Sequence, residues 1–65
     1  MTRYRVWLDV GEYVESRPSE NTPEKVREFL TRVLVDHDGL SVDTPGGGYA
    51  IIPAERIVCI EVVRL

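Results

Sequence analysis

The sequence predicts an α+β domain of order β-α-β-β-β. The expected architecture is a four-stranded, mainly antiparallel sheet, open or curled into a small barrel, with one amphipathic helix on one face. Three observations predict it. Residues Arg3 to Val10 alternate apolar and polar side chains. Val26, Phe29, Leu30, Val33 and Leu34 recur at helical spacing. The C-terminal part breaks into short β-branched runs separated by glycine and proline.

In the first segment Tyr4, Val6, Leu8 and Val10 alternate with Arg3, Arg5, Trp7 and Asp9, the pattern of a strand with one buried face. Gly11 reads as a bulge, with the strand continuing weakly through Tyr13 and Val14. Glu15 to Asn21 has no apolar residue other than proline and reads as a loop. Thr22-Pro23 is a helix start, because threonine can cap and proline tolerates the first helical position; Asn21 with Glu24 is an alternative capping box. Gly39 suits the position just past the helix, which places the end near His37. Leu40–Asp43 and Tyr49–Ile52 read as strands around a Thr44–Gly48 loop. Pro53-Ala54-Glu55 reads as a tight turn into a last strand, Arg56–Leu65, so that the last three strands form a meander.

Composition bounds the function. A 65-residue chain is one domain, and such a domain buries only about 60% of its unfolded surface. Hydrophobic residues at 43% and charged residues at 29% exclude disorder. No apolar run approaches the ~20 residues of a membrane span, and the N-terminus lacks a signal-peptide apolar stretch. The single cysteine excludes an intrachain disulfide and a multi-thiolate zinc site, which points to a reducing cytoplasm. Eight basic against 11 acidic side chains, net charge −3, make nucleic acid an unfavoured partner. Lys25 is the only lysine among seven arginines, a bias that suits a GC-rich phage or actinobacterial origin.

The last strand is apolar on both faces. Val58, Ile60 and Val62 share one side, flanked by Arg56 and Arg64; Ile57, Cys59, Val63 and Leu65 share the other, interrupted by Glu61. A strand of that kind is usually covered on both sides. One helix covers only one face, so the Ile57, Cys59, Val63 and Leu65 face is expected to meet a second copy of the chain. Val35, opposite the helix stripe, points the same way. Glu61 is expected at the solvated rim, with Arg3 or Arg5 as alternative partners, and Cys59 is expected to be buried and unreactive.

Arg3, Arg5 and Trp7 fall on the exposed side of the first strand. Arginine and tryptophan are frequent anchors of protein contacts, so Arg5, Trp7 and Val35 are the expected interaction residues. The Gly46-Gly47-Gly48 run lacks the lysine and following helix of a phosphate loop and reads as a flexible connection. Asp36-His37-Asp38 are consecutive, so on a helix they diverge rather than converge on a metal. His37 and Cys59 lie on different elements, and Glu12 and Glu15 lack an apolar pocket. No catalytic constellation, metal site or cofactor site is expected.

The run Tyr49 to Val62, with its Ile52-Pro53 step and Ile57-x-x-Ile60-Glu61 strand, resembles the last hairpin of Sm-like and other small-barrel accessory proteins. The resemblance implies a short terminal β-module. Sm-like chains open with their helix, whereas here a strand comes first, so no ligand residues are carried over.

These features lead to a non-catalytic, self-associating module that acts by protein contact. The alternative is an oligomer that binds a small anionic ligand, such as a nucleotide, between subunits. Arg3, Arg5, Arg56 and Arg64 with Gly46, Gly47 and Gly48 would hold that ligand. Single-stranded nucleic acid stacking on Trp7 is the third possibility.

Overall fold

Alternation along the N-terminal segment produces strand β1, Thr2–Leu8, in the computed structural model, which describes residues 1–65. The chain then turns back rather than continuing. Gly11 takes a left-handed φ of 87°, its N–H bonds the Leu8 carbonyl, and Leu8 N–H bonds the Glu12 carbonyl. Tyr13–Glu15 returns as β2, pairing antiparallel with β1. The expected bulge at Gly11 is thus a hairpin turn, and Val10 is exposed at its tip.

Helix α1, Pro23–Asp36, starts as its sequence dictates. Thr22 Oγ1 accepts the Lys25 N–H at 3.3 Å, and Pro23 occupies the first helical position. Its C-cap is His37, whose N–H bonds the Val33 carbonyl. Val26 and Leu30 are buried and Val33 is partly buried, but Phe29 is 56% exposed. Gly39 does not terminate the helix in a left-handed conformation. It is the first residue of β3 (Gly39–Asp43), where a Cβ would stand 2.6 Å from the Ile52 carbonyl oxygen of β4 (Tyr49–Pro53). Close backbone approach, rather than positive φ, is what requires glycine there.

The largest departure from expectation lies in the last strand. A 3-10 turn, Ala54–Arg56, follows β4 and is tied to β3's entry by the Ala54 N–H on the Asp38 carbonyl. The chain therefore does not fold back on β4. It crosses to pair β5, Ile57–Arg64, antiparallel with β1. The result is two sheets, β2-β1-β5 and β3-β4, in place of a single four-stranded sheet with a meander, and neither closes into a barrel. The segment that resembles a small-barrel hairpin is not one here, since β4 and β5 are not paired.

Both sheets and α1 share one core: Val6, Val26, Leu30, Leu40, Val42 and Ile52, with Tyr4, Leu8, Ile57, Ile60 and Val62 packed around it. No helix is long and apolar enough to cross a membrane.

Candidate functional site

The register of β1 with β5 decides which side chains meet. Tyr4 lies opposite Val62 and Val6 opposite Ile60, on the core side. Arg3 lies opposite Val63, Arg5 opposite Glu61 and Trp7 opposite Cys59, on the outer side. Leu8 pairs with Ile57 while Trp7 pairs with Cys59, so Val58 is an extra residue, a β-bulge. The bulge switches the parity of β5. Ile57 consequently packs on the core and does not share the outer face with Cys59 and Val63, as strict alternation predicts. Cys59 is exposed rather than buried, because its register partner is Trp7 on the outer face.

That outer face is an ordered cluster of arginines, carboxylates and aromatics. Arg5 Nε donates to Glu15 Oε1 at 2.9 Å. Arg3 Nε, shielded from solvent, stands 3.4 Å from the same oxygen without hydrogen-bond alignment, so it is attracted but not satisfied. Glu61, 51% exposed, accepts from Trp7 Nε1 at 3.3 Å and lies 3.9 Å from an Arg5 nitrogen. It is solvated at the rim, as expected, and also has Arg5, the alternative partner, within 3.9 Å. The hydrogen bond to Glu15 is the main cause that raises the Arg5 guanidinium above its ordinary pKa. Trp7 and Tyr13 rings meet at 4.8 Å between centroids, tilted by 47°, and the Arg5 guanidinium lies 5.2 Å from the Tyr13 ring centre. Arg5 and Trp7 are thus brought together as expected. Tyr13 and Glu15, assigned by sequence to a weak extension and a loop, complete the cluster. The signal for them was the Gly11 turn, which puts Tyr13 opposite Trp7 and Glu15 opposite Arg5.

Val35, 79% exposed, stands apart from this cluster. It lies beside Glu28, Arg32 and Asp36 on the outward side of α1. Leu65, 54% exposed, follows β5, and its N–H bonds the Met1 carbonyl.

β5 is also the free edge of its sheet. On the other flank of β1, Thr2 and Tyr4 bond Ser19 and Ser16, so its even residues face away from β5 and its odd residues face β5. By antiparallel alternation Cys59, Glu61 and Val63 bond β1, and the N–H and C=O groups of Ile60, Val62 and Arg64 point outward, unpaired. Beside this strand runs a groove of about 410 Å³ with Leu30 and Leu34 of α1 on one wall and Val58, Ile60 and Val62 on the other.

The arginines proposed for an anion do not assemble with the glycine loop. Arg3 and Arg5 sit against Glu15, Arg56 Nε is paired with Asp9 at 2.9 Å, and Arg64 lines a depression with Glu20 and Asn21. Gly46–Gly48 form an exposed loop closed by the Thr44 N–H on the Gly48 carbonyl, with Gly47 at φ 89°. A polar cleft of about 350 Å³ lies elsewhere, lined by Tyr4, Ser16, Arg17, Lys25 and Asp43 among others. Burial, and secondarily the Asp43 charge, raises the Tyr4 hydroxyl pKa. No three His, Cys, Asp or Glu side chains gather closely enough to hold a metal ion.

The fold and site define a small α+β domain with two antiparallel sheets and an arginine–aromatic outer face. Comparison with family models, curated proteins and solved structures returned no match.

Proposed function

We propose that this chain is a small, non-catalytic, cytoplasmic interaction module that self-associates and works by contacting another protein. The observation that carries this reading is the Trp7–Tyr13–Arg5 cluster, held in one arrangement on an open sheet face by Glu15 and Glu61. Aromatic and arginine side chains dominate the energetics of protein contacts. Fixing them before binding removes part of the ordering cost of association. Val35 adds a separate apolar point on α1.

Affinity capture from the source cells tests it, comparing the parent with Trp7→Ala, Arg5→Ala and, as a control, Val10→Ala at the hairpin tip. A partner retained by the parent and by Val10→Ala, but lost at least tenfold by Trp7→Ala and Arg5→Ala, supports the reading. Equal retention by all variants overturns it.

The polar cleft favours a second reading, a small anionic ligand. Arg17 and Lys25 line it and are bound in no salt bridge, and Tyr4, Ser16, Ser41 and the single carboxylate of Asp43 are among the other lining residues. A thermal-shift screen with nucleotides and inorganic phosphate tests that reading. Saturation at ~100 times the dissociation constant stabilises by about 2.7 kcal/mol. No shift in any mixture rejects it.

A further inference from the structure

We infer that the self-association proposed above uses the open edge of β5, which pairs antiparallel with β5 of a second copy about a twofold axis at Val62. The inference rests on the self-association part of that reading. It moves the contact from the outer face of the strand to its edge.

The two edges of the three-stranded sheet are unequal. β2 is three residues long, whereas β5 is eight, with no proline and no lysine to block pairing. The outward-facing backbone groups belong to Ile60, Val62 and Arg64. A twofold axis at Val62 sets Ile60 opposite Arg64 of the second copy and Val62 opposite itself. Every outward N–H then meets an outward C=O, giving about six new ladder bonds.

Bond number, the bulge and charge together select among the alternatives. An axis at Val63 pairs only Val62 with Arg64, giving about four bonds. An axis at Ile60 sets Val62 opposite Val58, the bulged residue, where regular pairing is broken. An axis at Glu61 places two Glu61 carboxylates directly opposite each other. Like charges directly opposed across strands are destabilising. The axis at Val62 opposes Glu61 to Val63, Cys59 to Leu65 and Ile60 to Arg64, with no like pair. Leu34 and Val58, both exposed along the adjoining groove, extend the apolar ground beside the new pairing. The product is a continuous six-stranded sheet, β2-β1-β5 joined to its copy, with α1 of each copy on the core side.

Two variants of the full chain, with light scattering over a concentration series, test the pairing. In this register Cys59 faces Leu65 of the second copy in a non-hydrogen-bonded pair, where Cα atoms are about 4.5 Å apart, within reach of a disulfide. Leu65→Cys is therefore expected to form a covalent dimer on mild oxidation, seen on a non-reducing gel. Positions 59 and 65 of one strand are too far apart to join. Arg64→Pro removes only an N–H that the isolated chain does not use. It is expected to weaken dimerisation at least tenfold, with the circular dichroism of the chain unchanged. A dimer that dissociates with Arg64→Pro and crosslinks with Leu65→Cys supports the inference. A dimer that crosslinks through Val63→Cys instead overturns the register, since that pairing belongs to the Glu61 axis. A dimer indifferent to both original variants overturns the edge contact but leaves self-association standing. A monomer at every concentration overturns the pairing and self-association together, while capture of another protein through Trp7 stays open to its own test.

Discussion

Glu15→Gln separates an ordered electrostatic face from a merely decorated one. Glu15 is 26% exposed and its Oε1 lies 2.9 Å from Arg5 Nε and 3.4 Å from Arg3 Nε. Neutralising it keeps an amide oxygen for Arg5 Nε but removes the charge assistance, and leaves Arg3 with no carboxylate and Arg5 with only Glu61 at 3.9 Å. Exposed ion pairs contribute about 0–1 kcal/mol and hydrogen bonds to charged groups about 1.5–3 kcal/mol. Partial solvation places this site between those ranges, at about 1 kcal/mol. The core of a domain this small rarely supplies more than about 3–5 kcal/mol, so the loss is a substantial fraction. It corresponds to a fall in Tm of about 7 °C. Glu61→Gln is the internal comparison. Glu61 is 51% exposed, 3.9 Å from Arg5, and a glutamine oxygen still accepts from Trp7. Its loss is expected to be at most a few tenths of a kcal/mol. The assay is urea denaturation of both variants at low ionic strength and in 1 M salt, where the screening length falls to about 3 Å. The Glu15→Gln deficit should shrink in salt. Equal losses for the two variants, or a Glu15→Gln deficit below about 0.3 kcal/mol at low salt, would refute the reasoning.

Leu30→Ala, deleting the 4%-exposed side chain between α1 and both sheets, should cost about 2–4 kcal/mol and leave much of the chain unfolded by circular dichroism. Gly39→Ala, with the Ile52 carbonyl oxygen 2.6 Å from the new Cβ, should destabilise by about 1–3 kcal/mol in urea titration. Gly46→Ala meets nothing within 4 Å and should be close to neutral. Because the Tyr4 pKa is raised in the folded state, its neutral form is the one favoured by folding. That contribution is complete below the unfolded value of about 10 and is lost as pH rises through the folded value. Tyr4→Phe should therefore flatten the alkaline fall in stability measured by denaturation against pH. Single-stranded oligonucleotides should leave Trp7 fluorescence unchanged, since the chain carries net charge −3; saturable quenching would restore the nucleic-acid reading.

The helix is legible in the sequence because its signals are local. Thr22, Pro23 and the Val26–Leu30–Val33 spacing act within a few residues of one another. The β3-β4 hairpin is legible for the same reason. The sheet arrangement is not, because β1 and β5 pair across almost the whole chain and no local pattern encodes which strand β5 joins. One local clue does bear on it. A two-residue hairpin turn needs positive φ, and Pro53-Ala54-Glu55 offers no residue suited to it. A 3-10 turn that redirects the chain is what such a segment can form. The arginine–aromatic face is half legible. Alternation places Arg3, Arg5 and Trp7 on one side, but Tyr13 and Glu15 reach them only because Gly11 turns the chain back.

The two-sided apolarity of β5 has a local physical explanation once the register is known. Ile60 and Val62 face the core beneath α1, and the bulge at Val58 lets Ile57 join them. On the other side Cys59 and Val63 lie directly opposite Trp7 and Arg3 of β1. An indole and the aliphatic stem of an arginine are apolar enough to neighbour them while their polar ends reach Glu61 and Glu15. Coverage of that face by a second layer is therefore not required by its composition. The backbone is different. An outward N–H or C=O on an eight-residue edge has only water or another strand as a partner, and no side chain of this protein bends back to occupy it. The open ladder of β5, more than its apolar side chains, is the feature that gives self-association a place and a register.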